Sequence, residues 1–258
     1  MIPAIDRYLA ALEERHLANL TRSELTRALR ALSSCYVERR EKLLSGAALE
    51  TAGKRAAFAL YYGPLHFLTV TEIVKALSAD RAPVTTLLDL GCGTGAAGAA
   101  WALTCERRPA IEGIDRSAWA VDEANWTYGH FGLRGRARRG DIRRVALPKP
   151  GTALLLAYAV NELEPDRRGS LLEMIASAGR SGGPILVIEP IARRGKNWWT
   201  EWLDRLAPLG VRTDEWRFEA AVPPAIRDWA RAAGLNPAAL TARSLAVNWP
   251  GGAAPRSR

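Results

Sequence analysis

The chain predicts an α/β fold built on a mostly parallel, Rossmann-like sheet and preceded by a helical extension. Three observations carry this. First, Thr86-Leu87-Leu88-Asp89-Leu90 runs into Gly91-Cys92-Gly93-Thr94-Gly95 and then into Ala-rich sequence, the pattern of strand, tight turn and helix. Second, short apolar runs at 110–115, 152–157 and 185–188 alternate with helical patterns, as βα units do. Third, residues 1–80 carry leucines near helical spacing (Leu9, Leu12, Leu17, Leu20, Leu25, Leu29, Leu32), with only Gly46 and Gly53 before Gly63.

Composition limits the function classes. The 258 residues suffice for one large domain with an extension. No run of about 18 apolar residues predicts a membrane span, and the N-terminus lacks a basic region followed by an apolar one, so no secretory signal is expected. Cys35, Cys92 and Cys105 form no C-x-x-C pair and no metal-ligand spacing, so no metal is expected and a cytoplasmic location fits. The net charge of +9 favours an anionic partner, RNA first, although an Arg-rich proteome gives the same balance.

In the extension, Thr21-Arg22-Ser23-Glu24 marks a helix start with Thr21 or Ser23 as cap, and Ser45-Gly46 marks a break. Further helices are expected over about 49–60 and 65–77. Lys and Arg number 11 against 9 Asp and Glu in residues 1–80, so this is no basic nucleic-acid arm; a lid or substrate-selecting element fits better. Tyr61-Tyr62-Gly63-Pro64-Leu65-His66-Phe67 interrupts the helical pattern. Tyr61 and Tyr62 are candidate substrate-holding faces and His66 a candidate general base, with plain helix packing as the alternative.

Asp80-Arg81-Ala82-Pro83 is the expected boundary, giving 1–80 as extension, 81–249 as the main domain and 250–258 as a flexible tail. Strand one is expected near 84–90, followed by a helix over 96–106 and strand two over 110–115. Gly93 to Gly98 fits G-x-G-x-x-G, which allows a dinucleotide. Asp89 argues otherwise: a carboxylate before the glycines repels a pyrophosphate and suits a cation. Asp115 lies 20 residues after Gly95, where an acid accepts ribose hydroxyls; capping the next helix is its alternative role, one Ser117 fills equally well.

A helix over 118–128 and a strand over 135–139 come next. Six Arg and one Asp fall within residues 134–144, a candidate phosphate-contact surface or a charge-guarded strand edge. Arg138 and Arg139 are its candidate substrate contacts. Strand four, 152–157, leads into Tyr158-Ala159-Val160-Asn161-Glu162-Leu163. Asn161 and Glu162 are the polar groups available to orient an acceptor or take its proton, or they merely start a helix. A helix over 166–178 precedes strand five, 185–188, which ends in Glu189-Pro190. In the Trp-rich stretch beyond, basic residues beside aromatics suit nucleic acid, but helix packing of Trp198 and Trp202 is preferred. Strand, helix and strand at 211–218, 224–233 and 242–247 complete the chain, and Trp249 opens the loose tail.

Leu88-Asp89-Leu90-Gly91-Cys92-Gly93-Thr94-Gly95 resembles motif I of class I S-adenosylmethionine (SAM)-dependent methyltransferases. With Asp115, Asp141 and the strand-four region, the likeness covers about residues 84–190. It implies a seven-stranded sheet whose last strand is antiparallel. It also implies SAM binding at Asp89, Gly91, Gly93, Gly95, Asp115, Asp141 and Tyr158, with their neighbours Cys92, Arg116 and Ile142. Asp141 would meet the adenine amino group. The chain has no Asn-Pro-Pro-Tyr type motif and no Cys after Cys105, which argues against the corresponding amino-directed and cytosine-C5 chemistries.

Tyr62-Gly63-Pro64-Leu65-His66-Phe67, Asn161-Glu162-Leu163 and Val187-Ile188-Glu189-Pro190 further resemble the mitochondrial small-ribosomal-subunit methyltransferase-like family and its bacterial relatives. That likeness implies rRNA methylation or small-subunit assembly. The iron–sulfur cluster of longer members is not expected here, for lack of the cysteines. Four functions therefore stand open: an RNA methyltransferase, a small-molecule methyltransferase, a non-catalytic SAM-binding assembly factor, and an NAD enzyme resting on the glycine pattern alone.

Overall fold

The computed structural model describes residues 2–37, 49–146, 149–191, 197–219, 222–235 and 239–249. They fall into two compact units, Met1–Leu68 with Phe218–Leu240, and Thr69–Arg217 with Thr241–Arg258.

The first unit is helical. Helices α1 (Ile2–Leu17) and α2 (Arg22–Val37) bury Leu9, Leu12, Leu25, Leu29 and Leu32 of the predicted leucine stripe. Leu17, the last residue of α1, and Leu20, in the connection to α2, are only half-buried because the helical face ends there. Thr21 caps α2 reciprocally: its hydroxyl accepts the Glu24 N–H at 3.2 Å, and the Glu24 carboxylate accepts the Thr21 N–H at 2.9 Å. The expected break at Ser45-Gly46 lies outside the described residues.

Helix α3 (Ala52–Ala57) runs without interruption through a π-helical turn, Phe58–Tyr62, into α4 (Gly63–Ala76). The Gly63-Pro64 pair therefore does not stop the helix. Proline lacks an N–H and collides with the carbonyl four residues back. The wider turn, closed by Gly63 N–H to the Phe58 carbonyl, lets the helix pass this point. Helix α9 (Pro224–Ala233) belongs to this unit, and its Trp229 donates to Glu13 at 3.3 Å and lies under the Arg22 guanidinium.

The second unit is a seven-stranded sheet. Its strands are β1 (Thr86–Leu90), β2 (Ala110–Asp115), β3 (Gly135–Arg139), β4 (Thr152–Ala157), β5 (Ile185–Glu189), β6 (Arg212–Phe218) and β7 (Leu240–Val247). The order is β3-β2-β1-β4-β5-β7-β6. β1 through β5 pair in parallel, and β7 runs antiparallel to β5, as the motif-I resemblance implies. The helices are α5 (Ala96–Thr104), α6 (Ala118–His130), α7 (Pro165–Arg180) and α8 (Asn197–Leu206). The central strands are buried on both faces, which is why they read as continuous apolar runs. Leu88, Leu154, Leu156 and Val187 join Leu171, Ile175, Trp198 and Trp202 in one core. Trp249, placed by its sequence in a loose tail, is buried instead. Its indole donates to the Leu77 carbonyl at 2.7 Å, and its ring lies 5.8 Å from that of Trp101.

The strand order reverses between β1 and β4. In open α/β sheets, that switch point beyond the strands' carboxyl ends is where ligands bind. Asp89, Tyr158 and the glycine turn all sit there.

Candidate active site

The turn after β1 is forced by its glycines. Gly91, Gly93 and Gly95 hold φ of +75°, +52° and +74°, a region other residues enter at a cost. Space forbids a side chain as well: a Cβ on Gly91 would stand 2.7 Å from the Ala159 methyl. The N–H groups of Gly91 and Cys92 both bond the Ile114 carbonyl, which ties the turn to the end of β2.

Two carboxylates face this turn. Asp89 is almost fully buried, and its Oδ2 accepts the Gly98 N–H at 3.1 Å, in the first turn of α5. Its other oxygen is buried with no hydrogen-bond partner. Burial pushes the Asp89 carboxyl up to about 7, the Gly98 bond pulls it down, and the nearby Asp115 charge raises it further. Asp115 accepts the N–H of Gly93 at 3.0 Å and of Ser117 at 2.8 Å. Burial raises it also, against those two bonds and the Arg116 charge. Ser117 itself caps α6, which leaves Asp115 the task of bridging the two strand ends.

The other predicted cofactor residues divide. Cys92 is buried, and burial pushes its thiol well up, so it is no reactive thiolate. Ile142 belongs to the core. The exposed Arg116 gives its carbonyl to Arg139 at 3.1 Å. Asp141 caps a short 3₁₀ turn and binds Arg143 through both oxygens, which hold its carboxyl down at about 2. Tyr158 adopts φ +60°, unusual for an aromatic residue, and burial raises its hydroxyl, which bonds Thr69.

Of the candidate catalytic pair, Asn161 is fully engaged. Its amide donates to Glu189 and accepts the Trp198 indole N–H at 3.1 Å. Glu162 ends the 3₁₀ turn Val160–Glu162, half-buried. In the helical unit the π turn gathers Phe58, Tyr61, Tyr62 and His66 into one aromatic cluster, with centroids 5.1 to 6.4 Å apart. Burial pushes His66 down to about 3 and Tyr61 up to about 12. A His so shifted is a weak base at neutral pH. Arg138 and Arg139 lie exposed on the edge strand β3. Sequence reasoning missed Glu189, Gly98 and Tyr128. The one local signal for Glu189 was an acid closing an otherwise apolar strand.

The comparisons with known proteins bear on the fold. Residues 87–183 match the family model described as a methyltransferase domain. No curated protein matches the chain. Among solved structures, magnesium protoporphyrin IX methyltransferase from Synechocystis PCC 6803, with bound SAH, is 14% identical. That match covers 71% of this chain and 83% of that one, at a TM-score of 0.50. The YcgJ protein from Bacillus subtilis is likewise 14% identical over 71% of this chain and 99% of that one, with a TM-score of 0.49. Residues 87–183 thus match a methyltransferase domain, and the sheet that carries them has the fold of the class I SAM-dependent methyltransferases.

The residues present fit that cofactor. One buried carboxylate with an orphaned oxygen, Asp89, and a half-buried one, Asp115, suit a cation and hydroxyl donors rather than a pyrophosphate. Asp89 would serve the cationic end of SAM, Asp115 the ribose, and the three glycines the close approach of the main chain.

Proposed function

We propose that this chain methylates RNA, with ribosomal RNA of the small subunit as the leading acceptor. The observation that carries the acceptor class is the edge strand β3. Arg134, Arg136, Arg138, Arg139 and Arg144 are exposed along it and its flanks. The whole chain carries an excess of nine positive charges. Such a surface suits a phosphate backbone. The ribosomal assignment rests on the Asn161-Glu162-Leu163 and Val187-Ile188-Glu189-Pro190 resemblances.

When bound, SAM supplies an electrophilic methyl group on a sulfonium. The work left to the chain is placement. Asp89 and Asp115 hold charge and hydroxyls, the glycine turn brings the main chain close, and the turn after β4 shapes the acceptor side. Glu162, half-buried at the end of that turn, is the acid that would take a proton there as the acceptor is alkylated.

A small-molecule acceptor is the second reading, favoured by the neighbour named for a porphyrin substrate. A third, a non-catalytic SAM-binding factor, is favoured by Asn161, whose amide groups are already engaged.

The test is transfer of radiolabelled methyl from SAM onto ribosomal subunits, free RNA, protein and small molecules from cells lacking the chain. Label in an RNA fraction is expected. The triple change Arg136→Glu, Arg138→Glu, Arg139→Glu should then weaken RNA binding about 10–100-fold and flatten its salt dependence. Label only among small molecules overturns the RNA reading. No label, with SAM binding intact by calorimetry, selects the non-catalytic factor.

A further inference from the structure

The turn that follows β4 is held from every side. Tyr158 opens it in the left-handed region, with its N–H on the Ile188 carbonyl at 2.7 Å. A bulky residue there costs about 1–3 kcal/mol and persists only where its surroundings over-determine it. From α7, Arg168 donates to the Val160 carbonyl at 3.2 Å and the Asn161 carbonyl at 3.4 Å. From α8, Trp198 donates to Asn161 Oδ1. On its far side the turn sets the Ala159 methyl against Gly91 of the cofactor loop.

The centre of this arrangement is Glu189, at the end of β5. Its Oε1 accepts the N–H groups of Val160 at 2.8 Å and Asn161 at 3.1 Å, and its Oε2 accepts the Asn161 side-chain amide. The side chain is completely inaccessible. A buried carboxylate is costly, and an apolar residue fills the same volume without that cost. What the carboxylate adds is three acceptor bonds to one turn, 28 and 29 residues away in the chain. Burial raises Glu189 to about 7, while the two N–H groups and Arg243 draw it back toward ionisation.

We infer that Glu189 is a positioning residue for methyl transfer, one that fixes the Ala159–Glu162 turn against the cofactor loop at Gly91. It acts through Asn161 and the main chain and touches no reacting atom. Asn161 is then the link in this device, and Glu162 and Tyr158 are the groups it holds in place. The inference rests on the methyl-transfer reading but not on RNA as the acceptor.

The donor and acceptor pattern supplies the test. Glu189→Gln sets an amide against the Asn161 amide, donor to donor. Asn161→Asp sets a carboxylate against a carboxylate. The pair Asn161→Asp with Glu189→Gln restores every bond: the Gln carbonyl accepts both N–H groups, its amide donates to Asp, and the second Asp oxygen accepts from Trp198. Hydrogen exchange of the 159–163 amides should quicken about tenfold or more in each single variant and recover in the double. On whichever acceptor fraction the wild type labels, kcat should fall about 10–100-fold in each single variant and recover in the double, with SAM affinity far less affected. Equal kcat in all three variants overturns the inference. So do losses that follow melting temperature alone and persist in the double variant. If the single variants do not fold, a folded and protected double variant supports the inference and an unfolded one overturns it. If the wild type labels no fraction, methyl transfer itself fails separately, and exchange decides: recovered protection supports the role of Glu189, and unchanged protection in Glu189→Gln overturns it.

Discussion

Asp89 Oδ2 accepts the Gly98 N–H at 3.1 Å, and a methyl group on Gly98 would stand 2.6 Å from that same oxygen. The third glycine of the G-x-G-x-x-G pattern therefore makes room for a carboxylate. In the dinucleotide reading the same glycine serves close helix–strand packing. Gly98→Ala would gain about 1 kcal/mol of helix propensity, but it must push Asp89 off its bond. We expect SAM affinity, measured by calorimetry, to fall at least about tenfold. Unchanged affinity would mean that Asp89 tolerates displacement and does not serve the cofactor.

Asp89 also predicts a pH dependence. Its carboxyl in the fold titrates near 7, far above its ordinary value of 3.8. The folded state thus binds the proton more tightly than the unfolded one, so the group's contribution to stability declines as pH rises from about 4 to 7. A cationic ligand needs the ionised form. SAM affinity should therefore decline about tenfold per pH unit below 7, and binding at pH 6.5 should release a proton. Calorimetry in buffers of different ionisation enthalpy reads that proton directly. Asp89→Asn should bind weakly, release no proton, and flatten the profile between pH 6 and 8.

Three glycines make room for one tyrosine. A Cβ on Gly95 would meet Tyr128 Cε1 at 2.8 Å, on Gly135 its Cγ and Cδ2 at 2.7 Å, and on Gly113 its hydroxyl oxygen at 2.9 Å. Tyr128 is fully buried and ties α6 to β2, β3 and the cofactor turn. Gly135→Ala and Gly113→Ala should each cost about 1–3 kcal/mol in denaturant unfolding. Tyr128→Phe should relieve part of the Gly113→Ala loss, where the hydroxyl is the obstacle. It should relieve none of the Gly135→Ala loss, where the ring is. Equal relief in both would place the strain elsewhere.

Most strands were legible because their apolar runs end at Gly, Pro or acid, and because β1, β4 and β5 are buried on both faces. The helix through Pro64 was not, since the π turn at Phe58–Tyr62 uses a bond from Gly63 that a proline-stop rule does not anticipate. Trp249 gave no local sign of burial; its partner ring, Trp101, lies on α5, far away in the chain. At the site, Asp89, Asp115 and the glycines were legible because the turn is local and its residues need positive φ or acceptor oxygens. Glu189 was not, because its meaning depends on the β4–β5 register, which sets it beside a turn 28 residues earlier. Asp141 drew an adenine role from its place after a strand, while Arg143, two residues on, takes both of its oxygens.

The exposed edge of β3 carries a last prediction. Asn125 on α6 mimics a neighbouring strand: its Oδ1 accepts the Ala137 N–H at 2.8 Å, and its Nδ2 donates to the Ala137 carbonyl at 3.2 Å. An open strand edge invites pairing with another chain, and blocked main-chain groups and charges both prevent it. Asn125→Ala frees the two main-chain groups to water and should cost only about 0.5–1.5 kcal/mol, with faster exchange at Ala137. Removing the charges too, by Arg136→Ser and Arg138→Ser, should turn that modest loss into concentration-dependent association by light scattering. The arginine changes alone, with Asn125 intact, should leave the chain monodisperse. Association of the arginine variant by itself would make the charges, not Asn125, the guard of this edge.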